Sequence, residues 1–251
     1  MRAHEQVLAH LEAELVAGRV ALGGRLPAER ALAEQLGVSR GSVREAVRVL
    51  EAMGVVRTAV GSGPDAGAVV VGDPAASMGL ALRLHAATSR LPVRDVVATR
   101  VLLETWAVAE AARRCAAAAS PADGGSGSAA AAPDLAEADR LLAAMDRAVE
   151  EAPDDAARFH ALDAEFHVAL ATAAGNAVVE AVMASLRQAV NAYVMAAVAT
   201  LPSWPTTARR LRAEHHAVVA LVRAGDADAA ADAVRAHITG FYAETSLDRR
   251  A

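Results

Sequence analysis

"GVSRGSVREAVRVLEAMGVV", Gly37–Val56, carries two patterns on one stretch of chain. Val43, Ala46, Val47 and Leu50 fall at i, i+3, i+4 and i+7, the spacing of a helix that buries one apolar stripe. Arg40, Arg44 and Arg48 recur at every fourth residue and draw a basic line down another side of the same helix. Ser39 predicts the N-cap and Gly54 the stop. A recognition helix in a DNA major groove needs one face packed and another offered to phosphates and base edges. Arginine suits both targets, although this spacing fits equally well a solvated face that happens to carry arginines.

Upstream, residues 3–17 repeat apolar positions with helical spacing, and "GGRLPAERALAEQLGVS" predicts a turn and a short helix ending at Gly37. Downstream, "VVRTAV" and "GAVVV" read as short strands joined by "GSGPDA", a hairpin longer than the two-residue kind. Three helices and a β-hairpin over residues 1–72 make a winged helix-turn-helix. Residues 73–91 read as a linker with a short helix, and 92–245 as an all-helical bundle. Helices are expected near 75–87, 92–118, 134–150, 154–174, 176–199, 206–224 and 226–245, punctuated by Gly175, Pro202, Pro205 and Gly225. The fold class is therefore mainly α. The Ala/Gly/Ser-rich stretch 116–133 reads as a flexible loop.

A chain of 251 residues with a hydrophobic content of 54% supports packed cores, but much of that content is alanine. All 25 basic residues are arginine, a compositional bias without functional weight. The net charge of −5 does not advertise a nucleic-acid binder, so charge has to be judged locally. The single cysteine, Cys115, excludes an internal disulfide framework and fits a cytoplasmic protein. The N-terminus lacks the apolar core of a signal peptide, and "AVNAYVMAAVATL", broken by Asn191, is too short to span a bilayer, so no membrane role is expected.

The string "LPAERALAEQLGVSRGSVREAVRVLEAMGVV", Leu26 to Val56, followed by a glycine-containing wing, resembles the DNA-binding segment of the GntR superfamily of bacterial transcriptional regulators. The resemblance covers about residues 5–72. It implies operator contacts at Arg30, Arg40 and Arg44, with Ser42 at the start of the recognition helix; Arg48 falls on the groove-facing line or at its edge. The wing "GSGPDAG" departs from the family, because Asp65 suits a phosphate-lined minor groove poorly.

In the helical half, Asp163 and His167 stand at i and i+4 on one helix face, while His215, His216 and His237 lie downstream. A carboxylate and imidazoles from three helices can hold a transition metal, and an ordinary polar His–Asp contact has the same spacing. His215 and His216 point about 100° apart, so only one of them can face a shared centre. His160 lies on roughly the face of Asp163 and His167.

"ATRVLLETWAVAEAA", "LDAEFHVALATAAGN", "EHHAVVALVRAGDADAA" and "RAHI" resemble the ligand-binding FCD domain of the FadR-type branch of the same superfamily. That resemblance implies metal ligands at Asp163, His167, His215 and His237, leaving out His160 and His216. It also implies one divalent ion per chain, zinc first and nickel, manganese or iron as alternatives. Arg100 matches an effector-pocket arginine, with an intrahelical pair to Glu104 as the other reading. Asn176 is either an effector contact or a helix cap.

The function so implied is a homodimeric regulator, not an enzyme. It would repress from a pseudo-palindromic operator and respond to a small organic acid at a metal-containing pocket. A metal-responsive regulator and a metal-dependent enzyme are the alternatives.

Overall fold

The computed structural model describes residues 2–59, 67–72, 74–87, 91–119 and 131–245. Its elements run in the order α1 (Ala3–Val16), α2 (Glu29–Leu36), α3 (Arg40–Ala52), β1 (Val56–Ala59), β2 (Gly67–Val70), α4 (Pro74–Ala87) and α5 (Val93–Ala119). There follow α6 (Ala136–Glu151), α7 (Ala156–Ala173), α8 (Ala177–Val198), α9 (Trp204–Ala224) and α10 (Ala227–Glu244). The chain forms two compact units, Met1–Met78 and Gly79–Ala251, with the boundary inside α4.

In the first unit the apolar stripe of α3 turns inward as its spacing requires. Val43, Ala46, Val47 and Leu50 are buried against Val7 and Leu11 of α1 and Leu32 of α2. Ser39 caps α3, its Oγ accepting the Ser42 N–H at 3.1 Å, which satisfies one of the free donors of the first turn. Gly37, at φ 65, takes the left-handed conformation that ends α2 and lets the chain reverse into α3. Strands β1 and β2 pair antiparallel with Val56 opposite Val70 and Ala59 opposite Gly67. The segment before α2 adds to the other edge of β2, where Leu26 N–H donates to Ala68 O at 2.8 Å. The tip of the wing, with Asp65, lies outside the described residues.

The second unit is a helical bundle in which α5 packs along α9 and α10, while α7 packs between α6 and α8. Phe159, Phe166, Leu141, Met145, Leu211 and Ile238 are among the side chains filling its core. Two local expectations need correction. Residues 116–119, assigned to the flexible loop, continue α5 to Ala119, since alanine is the best helix former; residues 120–130 of that stretch lie outside the described residues. Pro205, expected as punctuation, sits in the first turn of α9, where its missing N–H costs no hydrogen bond.

Candidate functional site

The arginines of the first unit are exposed. Arg30, on α2, lies 3.8 Å from Glu34. Arg30 and Arg40 line one surface groove together with Arg25 and Thr58. Arg44 donates from Nη2 to Glu29 Oε2 at 3.0 Å, a contact that ties the middle of α3 to the start of α2 and orients the guanidinium. Arg48 lies one turn further along α3, also exposed. The Ser42 hydroxyl is half-buried and 3.0 Å from Ser39 Oγ, so it is part of the helix cap.

In the second unit Asp163, His167, His215 and His237 are all buried, and one donor atom from each lies within 4.8 Å of the others. Asp163 Oδ1 is 3.4 Å from His167 Nε2 and 3.1 Å from His215 Nε2. His215 Nε2 is in turn 3.2 Å from His237 Nε2. The atoms come from α7, α9 and α10, which the bundle brings to one point. His215 sits on the buried stripe Leu211, Val218 and Val222 of α9, and His237 beside Val234 and Ile238 of α10. His216 faces outward and meets Asp146 at 3.0 Å.

Carboxylates back this cluster. Glu104 Oε2 is 2.5 Å from His167 Nδ1, and Glu214 Oε2 is 2.8 Å from His237 Nδ1. Arg100 Nε donates to Glu104 Oε1 at 2.8 Å, and its Nη1 donates to the Tyr242 hydroxyl at 3.1 Å. Burial opposes the charge of both members of the Arg100–Glu104 pair, yet mutual attraction wins. The guanidinium is held above its ordinary range, and the Glu104 carboxyl, helped by His167, below its own. Burial also opposes the charge of Asp163, but Arg187 and His167 keep it ionised, well below the usual carboxylate range. Burial and the neighbouring His237 push His215 down to about 3, and burial lowers His237, so both imidazoles are neutral.

The sequence of residues 3–64 matches the family of bacterial regulatory proteins known as gntR, and residues 127–240 match the FCD domain. The chain is a GntR-family transcriptional regulator with an FCD domain. A putative L-lactate dehydrogenase operon regulatory protein of Escherichia coli is 28% identical over 232 residues, covering 90% of this chain and 79% of that protein. The Exu regulon transcriptional regulator of E. coli is 42% identical over 62 residues, 25% of this chain and 24% of that one. A solved structure of a Streptococcus agalactiae GntR shares the fold, with a TM-score of 0.65 over 99% of this chain and all of that one at 24% identity. These domains and relatives belong to DNA-binding regulators rather than enzymes, and FCD domains bind small-molecule effectors. Among the described residues no helix is long and apolar enough to cross a membrane.

The FCD match spans the four clustered residues but begins after α5, so Arg100 and Glu104 precede it. The residues present fit a divalent metal on the chemistry of the donor set. Three imidazole nitrogens and a carboxylate oxygen face one point, where lone pairs repel unless a proton or cation lies between them. Two of the imidazoles turn their other nitrogen to a carboxylate, the arrangement that orients histidine ligands.

Beside the cluster is a cavity of ≈ 20 Å³ lined in part by Arg100, His160, Arg187 and Tyr242. Arg100 is paired with Glu104 and also lines this cavity. Asn176 is not among the lining residues; it is exposed, and its Oδ1 accepts the N–H groups of Val178 and Val179 as the cap of α8. His160 does not join the four-atom cluster, but it lines the cavity with both ring nitrogens unpaired, and burial lowers it to about 4. Sequence reasoning missed Arg187 and Tyr242 as neighbours of the centre. Only Glu104, four residues after Arg100, left a local trace of its partnership.

Proposed function

We propose that this regulator is a homodimeric repressor that binds a pseudo-palindromic operator in the cytoplasm and is controlled by a small carboxylate at a metal centre in its FCD domain. The observation that carries the reading is the convergence of Asp163, His167, His215 and His237 beside the buried Arg100. Those four residues would hold the ion, zinc before nickel, manganese or iron. Bound there, a divalent ion supplies a positive centre with positions open to an acid's oxygen. Arg100 offers a guanidinium to the carboxylate, and neutral His160 offers a hydrogen bond to a second oxygen. The E. coli relative is named for an L-lactate dehydrogenase operon, which puts small 2-hydroxy acids first in an effector screen.

In the first unit, Arg30, Arg40, Ser42, Arg44 and Arg48 form the operator-reading set, with one α3 entering each half-site of the dimer. The effector favours one arrangement of the dimer over another and so releases DNA.

Metal analysis of protein purified without chelators or metal-affinity steps tests the centre. About one ion per chain, lost in an Asp163→Ala/His215→Ala double variant, is the expected result. A folded, DNA-binding protein without metal overturns it. His215→Ala should lose metal far more readily than His216→Ala. A metal-responsive regulator is the second reading, favoured by a cavity of ≈ 20 Å³, about the space of one water. Chelation that abolishes operator control with no acid present selects it.

A further inference from the structure

Arg187, on α8, is buried, and its Nη2 donates to Asp163 Oδ2, the second oxygen of the carboxylate whose Oδ1 faces His167 and His215. Without an added cation the centre is charge-balanced: Arg100 against Glu104, Arg187 against Asp163, and Arg210 against Glu214. A divalent ion among the imidazoles adds two positive charges to a buried site, and Arg187 is then a like charge on the same carboxylate. Arg187 also borders more than the inner cavity. It lines an open groove of ≈ 840 Å³ along α7 and α8, together with Ala164 and Asn191. The same three residues line a second small cavity with His160 and Asp163. Arg187 therefore stands between solvent and the centre. Its Nε has no hydrogen-bond partner although it is buried, so the side chain is incompletely tied where it lies.

We propose that Arg187 is a latch that couples metal and effector: it is the counter-ion of Asp163 while the centre is empty, and it turns to the effector's carboxylate when a divalent ion takes Asp163. This rests on the metal-centre reading above. Two consequences follow from charge alone. Arg187 competes with the ion for Asp163, so the wild-type chain holds metal less tightly than the donor set allows. An anionic acid that engages Arg187 removes that competition and offsets the added charge, so acid and metal raise each other's affinity by the same factor.

The test is a zinc titration of full-length protein against a competing chromophoric chelator, for the wild type, Arg187→Gln and Arg187→Lys, with and without acetate as the simplest carboxylate probe. Arg187→Gln, which keeps much of the side chain's shape, should bind zinc at least tenfold more tightly than the wild type without acetate. Arg187→Lys, which keeps the charge, should stay near the wild type. Loosened packing would move affinity the other way, so a gain separates a latch from a structural role. Acetate should tighten zinc binding several-fold more in the wild type than in Arg187→Gln, where only the ion itself, Arg100 and His160 are left to hold it.

Equal or weaker zinc binding by a folded Arg187→Gln overturns the latch while the metal centre stands. An acetate effect absent from the wild type, or equally large in Arg187→Gln, overturns the link to the effector. A wild type that binds no zinc overturns the underlying reading of the centre itself. Should Arg187→Gln not fold, the comparison passes to Arg187→Met, judged by the same outcomes.

Discussion

The two units of this chain treat charge in opposite ways. In the first, the arginines lie on the surface and, among the described residues, the core beneath them is apolar. In the second, Arg100, Glu104, Asp163, Arg187 and three histidines are buried at the centre of the bundle, in mutual contact. A surface arginine stays hydrated until it meets a phosphate or a base, and it costs the fold almost nothing. A buried one has lost its water and must be answered by a partner inside the protein. The first arrangement suits recognition of a large, outside polyanion; the second suits a small ion held in low dielectric.

The sharpest way to break this comparison is to remove one charge from each unit. Glu104→Ala leaves Arg100 and His167 without their carboxylate and should destabilise the second unit by about 3–5 kcal/mol in denaturant unfolding. Glu34→Ala, whose pair with Arg30 is exposed, should leave the unfolding midpoint unchanged. Equal effects would mean that burial at the centre is not what sets the cost.

Acid sharpens the same contrast. His215 and His160 are pushed down to about 3 and about 4, whereas in the unfolded chain a histidine takes up a proton near pH 6.5. A folded value below the unfolded one means that stability is present above pH 6.5 and is lost as the pH falls below it. Each of the two histidines contributes a loss of up to about 1.4 kcal/mol per pH unit, continuing to its own folded value. Calorimetry of metal-free protein should therefore show the transition of the second unit falling between pH 7 and pH 5. A transition that stays level over that range would mean that these histidines are charged or solvated.

On the first unit, Arg44→Ala should weaken operator binding by about 1–3 kcal/mol and relax specificity at one base pair. Stability should hardly change, since its pair with Glu29 is at the surface. Unchanged affinity would remove Arg44 from the reading set. The smallest effect is expected at Ser39→Ala, about 1 kcal/mol of stability through loss of the α3 cap, measured by thermal melting.

Legibility in the sequence followed the range of the interactions. The stripe of α3 and its Ser39 cap were readable because each depends on residues within two turns of one another. Asp163 and His167 were readable as a pair for the same reason, and family resemblance singled out His215 and His237 as their companions. The choice between His215 and His216 also has a local signal: His215 falls in register with Leu211, Val218 and Val222, and His216 does not. Arg187 had no such signal. Its neighbours Ser185 and Leu186 are buried too, and an arginine in a buried stretch announces a partner without saying which.

What the sequence determined by itself is whatever helix geometry and nearest-neighbour chemistry decide: the order of elements, their caps and stripes, the arginine line, and the Asp163–His167 pair. The tertiary structure alone decided which charges meet. Glu104 on α5, Arg187 on α8, Glu214 on α9 and Tyr242 on α10 reach one centre because apolar burial packs those helices together. That packing is non-directional and draws on side chains across the whole unit, so no short stretch of chain encodes the pairings it imposes.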